Sequence, residues 1–350
     1  MSDSNQRTAR RTSLADELPD WFVFGGVFVL AMLFSTWRVA YLELGQANTL
    51  FYDAQIVWKP LTEQVMGGVP LYTGPAVDNK PPLFQYVNLI AGYTGEYNIS
   101  MTLLVGIANA LTAGLVYRWR ANHGEPREGI AIAILYLATL PLVNGLVINA
   151  RSFAMVGLMI AVIYTQPGIR GGAVAVAGLF SQYSFFAVPV LVVHSSQRTQ
   201  KLLRWLMVFT ATALCIVGMA FASVGVIWGT ESMTNAMYYS MSGAGEYVTS
   251  GNTHSPFHSV TTWFGILSHT MVNLAWLLIP TTLGGLLVVI ESFRVPWSER
   301  TFALALGVSL SLPLFIRSLL YYWIPALPFF GLLAVHALSR FLAGSSHEER

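Results

Sequence analysis

Long apolar runs recur through this chain, and they limit its fold more than any other sequence feature. A helix that crosses the hydrocarbon core of a bilayer needs about 20 apolar residues. Only 10% of the 350 residues are charged and 54% are hydrophobic, a composition typical of polytopic membrane proteins. Ten apolar runs lie near 21–42, 100–119, 128–149, 151–166, 171–183, 184–197, 203–227, 263–290, 300–316 and 319–340. We therefore predict one all-α integral membrane domain over 1–350, with about ten transmembrane spans and a range of eight to eleven.

The basic residues predict how these spans are oriented. Lys and Arg near span ends are retained on the cytoplasmic side. With the N-terminus inside, 14 of the 19 basic residues fall on that side. The other five lie outside or at the outer boundary: Arg38, Lys59, Lys80, Arg151 and Arg317. This bias predicts a multi-pass cell-membrane protein with both termini cytoplasmic.

The same topology divides the polar parts of the chain. It predicts a cytoplasmic tail at 1–20, a long external loop at 43–99 and a second external loop at 228–262. The segment 82–93 is read as a helix at the outer interface, since a crossing there would move the basic residues near 118–127 outside.

Composition also excludes several classes of site. The single cysteine, Cys215, lies inside a predicted span, so neither a disulfide framework nor a cysteine metal site is available. A net charge of +2 does not indicate nucleic-acid binding. The first apolar run is too long for the core of a cleavable signal and is expected to stay as an anchor.

The polar segment 53–83 carries the best candidates for chemistry. Asp53 follows the first span, while Asp78 and Lys80 stand just before two prolines. Between them, 66–72 reads MGGVPLY, where glycines permit positive φ and a proline fixes an extended exit. The turn would fold the two polar ends toward each other. A carboxylate could then deprotonate a hydroxyl group while a cation neutralises phosphate.

This arrangement resembles the GT-C membrane glycosyltransferases. The order is an N-terminal span, an acidic residue, a helix, Gly-x-Pro-x-Tyr, Lys-Pro-Pro-Leu and an amphipathic helix. The late segment 317–328, RSLLYYWIPALP, is similar to a basic, Tyr, Pro, Pro helix of the same family. The branch that it resembles includes protein O-mannosyltransferases and aminoarabinose transferases. The resemblance of this chain to that branch implies a polyprenyl-phosphate sugar donor that is used on the outer face of the membrane.

By this resemblance, Asp53 is the catalytic carboxylate and Lys80 a ligand of the donor phosphate. Aminoarabinose-type relatives carry an acidic residue directly before the Lys, where this chain has Asn79. Either Asp78 takes that catalytic supporting role or the role is absent. Asp53 also has a simpler interpretation as a solvated interfacial carboxylate, and Lys80 as an interfacial anchor.

Other candidates lie at predicted outer span ends or in the second external loop. Arg151, Arg317 and Tyr321 are expected to bind the donor phosphate, although either arginine could merely anchor a helix. His254, His258 and Glu246 are weak candidates for acceptor binding. The two histidines are interrupted by a proline, which disfavours a shared helical metal face.

The resemblance thus implies transfer of a hexose or similar sugar from a polyprenyl-phosphate donor to a glycan, lipid-linked oligosaccharide or protein. No metal is required, while a divalent cation at Asp53 stays an open alternative. Two other functions remain open. One is a flippase or transporter of lipid-linked sugars, and the other is a non-catalytic subunit that binds a glycan lipid.

Overall fold

The computed structural model describes residues 19–41, 53–242, 260–295, 297–316 and 320–348. Within these ranges the chain is helical and contains no strand, which confirms the prediction of a helical membrane protein. The α-helices, numbered in chain order, are α1 Asp20–Tyr41, α2 Lys59–Met66, α3 Pro82–Tyr93, α4 Tyr97–Ala121, α5 Pro126–Thr139, α6 Ala150–Ile163, α7 Pro167–Phe180, α8 Val188–Ser196, α9 Leu202–Trp228, α10 Thr230–Ser242, α11 Val260–Ser292, α12 Glu299–Ser311, α13 Pro313–Ile316 and α14 Leu327–Glu348. A π-helical turn, Ala54–Trp58, precedes α2. Three 3₁₀ segments precede α6, α8 and α14: Leu140–Val143, Gln182–Ala187 and Leu320–Ala326.

Five helical segments in the described part are long and apolar enough to cross a membrane. They are Tyr97–Ala121, Pro126–Val143, Leu202–Trp228, Val272–Ser292 and Leu320–Ala343. Shorter apolar helices occupy Trp21–Phe34, Ala150–Ile163 and Pro167–Phe180. Every predicted apolar run contains a helix, but several runs are divided by a 3₁₀ segment or a short break.

Two polar segments differ in part from their predicted form. The expected helix at 82–93 is present as α3, whose 12 residues span about 18 Å and are too short for a crossing. The predicted second external loop instead contains the 13-residue helix α10. Helix α11 also begins within that predicted loop and has 33 residues, about 50 Å of helix.

Ion pairs bring the loops that carry most basic residues to one end of the bundle. Glu299, at the start of α12, binds both His123 after α4 and Arg198 after α8. Farther along the chain, Arg340 of α14 lies 2.8 Å from Glu291 near the end of α11. We call this the basic end. Helix α4 runs about 37 Å from it to the opposite end.

Close helix packing depends on small side chains. At Gly284 of α11, an added Cβ would lie only 2.0 Å from the backbone oxygen of Leu333 in α14. A larger residue would therefore push the two helices apart. Such contacts are typical of membrane helices, where small residues allow backbones to approach closely.

Candidate functional site

The loop between α2 and α3 folds as a compact turn that places Lys80 against the bundle. Gly68 has the positive φ of 94° that the glycine pair predicted. Tyr72 also has a positive φ of 67°, which the sequence did not indicate. Its buried hydroxyl donates a 2.7 Å hydrogen bond to the backbone oxygen of Lys80. Burial raises the pKa of Tyr72 well above its ordinary value, so this hydroxyl stays a donor.

Lys80 belongs to a buried polar cluster with Asp78, Asn79 and Gln85. Its ammonium lies 3.6 Å from Asp78 Oδ1 and donates a 2.7 Å hydrogen bond to Asn79 Oδ1. The other oxygen of Asp78 accepts a 2.6 Å bond from the Gln85 amide. All four residues are at most 7% exposed. The carboxylate of Asp78 therefore pairs directly with the ammonium of Lys80, two positions along the chain, and the two charges balance each other.

A tryptophan that the sequence analysis did not single out connects this cluster with Asp53. Lys80 Nζ lies 5.9 Å from the centroid of the Trp58 ring, a cation–π geometry. Trp58 ends the π-helical turn that begins just after the partly buried Asp53. In a regular α-helix, residues five apart point about 140° away from each other. The wider π turn instead brings them onto neighbouring parts of one face, as such turns often do at functional sites.

Arg151 and the late tyrosine motif meet directly. The guanidinium carbon of Arg151 lies 4.1 Å from the ring centroid of Tyr321 and 3.9 Å from that of Tyr322. Tyr183 packs edge-on against Tyr322, with 5.1 Å between ring centroids. Aromatic rings cover the faces of a guanidinium, whereas its N–H donors lie in its plane and suit phosphate oxygens. Tyr322 and Tyr183 were not predicted, since no spacing rule relates them to Arg151.

The start of α6 is held so that Arg151 lies in its first turn. Asn149 caps the helix by accepting a 2.9 Å hydrogen bond from the backbone N–H of Ser152. The preceding turn is fixed from within the bundle, where Asn109 of α4 donates a 3.0 Å bond to the backbone oxygen of Gly145. Arg151 is consequently buried, with only 4% of its surface exposed.

One apolar cluster joins the segments that carry these polar residues. It contains Ala54 and Trp58 from the π turn, Phe84 from α3 and Ala150 from α6. The rings of Trp58 and Phe84 lie 4.8 Å apart, and those of Phe84 and Phe153 lie 6.2 Å apart. The structure therefore brings together the Asp53 turn, the Lys80 cluster and the start of α6. We call this group the polar site; it lies at the end of α4 opposite the basic end.

Comparison with family models, with curated proteins and with solved structures finds no match to this chain. Roles for the polar site must therefore come from its own geometry and from the motif resemblance.

Four predicted site residues, Arg317, Glu246, His254 and His258, lie outside the described residues. Within the described ranges, no group of three or more His, Cys, Asp or Glu side chains could hold a metal ion. Asp53, Asp78, Lys80, Arg151 and Tyr321 are all described, and each belongs to or adjoins one of the contacts given above.

Proposed function

We propose that this protein is a GT-C-type membrane glycosyltransferase that moves a sugar from a polyprenyl-phosphate donor to an acceptor hydroxyl. The observation that carries the proposal is the convergence at the polar site. The Asp53 turn, the Lys80 cluster and the Arg151 helix share one apolar cluster, and Arg151 stacks on Tyr321 and Tyr322. This set combines a carboxylate with two cations beside an apolar bundle, as the reaction requires.

In this reaction, Asp53 removes the proton from the acceptor hydroxyl as its oxygen attacks the anomeric carbon. The bond from that carbon to the phosphate oxygen breaks, and the polyprenyl phosphate leaves with the electron pair. Asp53 suits the role of base better than Asp78, because Asp53 is partly exposed whereas Asp78 is completely buried. Inversion at the anomeric carbon is implied by the family resemblance.

Lys80 and Arg151 are assigned to the departing phosphate. Positive groups fixed before the reaction stabilise charge that develops in the transition state, and they need no reorganisation at that moment. Arg151 can hold phosphate oxygens through two N–H donors, whereas Lys80 acts as a compact point charge. Tyr321 and Tyr322 keep the guanidinium in place from its faces.

An apolar groove beside the polar site suits the hydrocarbon chain of the donor. It lies between α6, α7 and α9, has a volume of about 400 Å³ and includes Phe153, Gly172, Phe180 and Ile216 in its lining. Phe153 and Phe180 stack at 5.4 Å and also pack against the apolar cluster of the polar site. A donor lying there would place its phosphate end near Lys80 and Arg151.

The proposed topology has about ten spans and places the basic end in the cytoplasm, in accordance with the positive-inside rule. The polar site then faces the outside of the cell membrane, and both termini are cytoplasmic. Acceptors reached from that side include a glycan, a lipid-linked oligosaccharide or a protein.

Purified protein in liposomes tests the proposed reaction directly. A polyprenyl-phosphate hexose with a labelled sugar is supplied together with a cell-surface acceptor extract, and both labelled product and released polyprenyl phosphate are measured. We expect Asp53→Asn to lower transfer about a hundred to ten thousandfold, the usual contribution of a general base. Glu63→Gln is the matched control, because this carboxylate of α2 is exposed and pairs with Lys59 on the same helix.

Each alternative function predicts a different result. A flippase would move the intact donor across the bilayer without forming product. A non-catalytic subunit would bind the donor equally well with Asp53 or Asn at that position and would release no polyprenyl phosphate. Transfer by Asp53→Asn at the wild-type rate would remove Asp53 from the catalytic role.

A further inference from the structure

Two buried polar atoms on residues that contact Lys80 or Asp78 have no hydrogen-bond partner among the described residues. They are the indole N–H of Trp58 and the side-chain oxygen of Gln85. Both residues are almost completely enclosed, with exposures of 2% and 0%. Buried polar atoms are nearly always hydrogen-bonded, and an unsatisfied one is unfavourable by about 1–3 kcal/mol. A donor and an acceptor left unsatisfied in one small cluster therefore indicate a ligand that supplies both partners.

The orientation of the Gln85 amide follows from its neighbour. An ionised carboxylate can only accept hydrogen bonds, so the group facing Asp78 must be the amide nitrogen. The amide oxygen consequently points away from Asp78, which leaves Gln85 with one acceptor for another group.

Both residues belong to the group of contacts around Lys80. Trp58 lies under the Lys80 ammonium, and Gln85 is linked to that ammonium through Asp78. Trp58 also ends the π turn that Asp53 precedes. A sugar bound between the proposed base and the proposed phosphate ligand would thus meet both atoms.

The chemistry of the two atoms defines the class of sugar. One is a neutral donor and the other a neutral acceptor, and a hydroxyl group can serve either of them. A protonated amine cannot accept from the Trp58 N–H, and an ionised carboxylate cannot donate to the Gln85 oxygen, so neither charged group can replace a hydroxyl at both atoms. Building on the proposed function, we propose that Trp58 and Gln85 bind hydroxyl groups of the donor's sugar and select an uncharged sugar ring.

Trp58→Phe tests the donor half of this site, because it removes the indole N–H and retains an aromatic ring under Lys80. Dissociation constants are measured for the purified full chain with two probes, a polyprenyl-phosphate hexose and polyprenyl phosphate without sugar. We expect about tenfold weaker binding of the hexose probe, the effect of about one hydrogen bond, with no change for the sugar-free probe. Trp205→Phe is the control, since its indole donates to the backbone of Thr165 outside the polar site.

Wild-type protein provides an independent arm that does not depend on the folding of a variant. A series of donor probes, each lacking one sugar hydroxyl, should include at least one that binds about tenfold more weakly than the complete hexose. A probe with an amino sugar should also bind at least tenfold more weakly. Equal affinity across the deoxy and amino series would overturn the proposal, as would Trp58→Phe weakening both probes equally or neither.

These outcomes separate the sugar site from the proposed function. If wild-type protein transfers sugar but shows no preference among the probes, the sugar site is wrong and the glycosyltransferase proposal stands. If wild-type protein binds neither polyprenyl-phosphate probe, both proposals fail together.

Discussion

The buried pair of Lys80 and Asp78 leads to a stability prediction that can be made without any substrate. Lys80→Met removes the ammonium but keeps a side chain of similar length. Asp78 would then be a completely buried carboxylate without its cation, which is strongly destabilising. Adding Asp78→Asn removes that charge and still offers a side-chain oxygen to the Gln85 amide. We therefore expect the double variant to be more stable than Lys80→Met alone.

The magnitude follows from the geometry of the pair. At 3.6 Å and an effective dielectric constant of about 20, the attraction between the two charges is about 4 to 5 kcal/mol. Loss of one partner of a buried pair typically destabilises a protein by about 3–5 kcal/mol. The second substitution should restore about 2 kcal/mol or more of that loss, a coupling expected only for residues in contact.

Thermal unfolding of purified protein in detergent, followed by intrinsic fluorescence, compares the four members of this cycle. Lys59→Met is the matched control, because Lys59 pairs with Glu63 at 3.9 Å but is 41% exposed. Exposed helical pairs contribute only about 0.3–0.5 kcal/mol. If Lys80→Met is as mild as Lys59→Met, or if the two substitutions at the buried pair are additive, then the charges do not stabilise each other as described. The double variant also separates function from folding, since it lacks the proposed phosphate ligand but retains a neutral site.

Three further predictions concern other parts of the molecule. Arg151→Lys should lower kcat/KM for the lipid donor roughly 30-fold to 1,000-fold, because a point charge replaces a preorganised planar donor and about 2–4 kcal/mol of transition-state stabilisation is lost. Donor kinetics at wild-type levels would exclude a phosphate role for Arg151. At the basic end, the hydrogen bond to Glu299 raises the pKa of His123. Burial alone would raise the pKa of Glu299, but the hydrogen bond from His123 and the nearby cations outweigh it, so that this pKa is lowered. The contribution of His123 to folding stability is full below about pH 6.5 and is lost as the pH rises through its raised pKa. The contribution of Glu299 to folding stability is present above about pH 4.3 and is lost as the pH falls through its lowered pKa. His123→Gln should thus lower the melting temperature most between about pH 4.3 and 6.5, by the equivalent of about 1 kcal/mol or less, and equal shifts at pH 5.5 and 9 would contradict this. A tag at Gly74 should be labelled in intact cells and a tag at 122–126 only after permeabilisation, and the reverse pattern would invert the proposed orientation.

The sequence by itself determined the class of protein, the positions of most helices and the tight turn at Gly68. Hydropathy acts over about 20 consecutive residues, so the apolar runs indicate membrane helices without any knowledge of their partners. Positive φ at a glycine is likewise a local property of the backbone. The basic end could also be anticipated, because the excess of Lys and Arg is read from each loop separately.

Only the tertiary structure decided which distant side chains meet. Arg151 and Tyr321 are far apart in sequence, and their stacking depends on how α6 packs beside the 3₁₀ segment Leu320–Ala326. The π turn that aligns Trp58 with Asp53 carries no periodic signal, since a single wider turn is indistinguishable from an α-helix in an apolar pattern. Tyr72 adopts a left-handed conformation that its residue type disfavours, because burial and its hydrogen bond to Lys80 compensate for the strain. Propensity and hydropathy describe what a segment prefers alone, whereas these contacts exist because packing places several segments around one small volume.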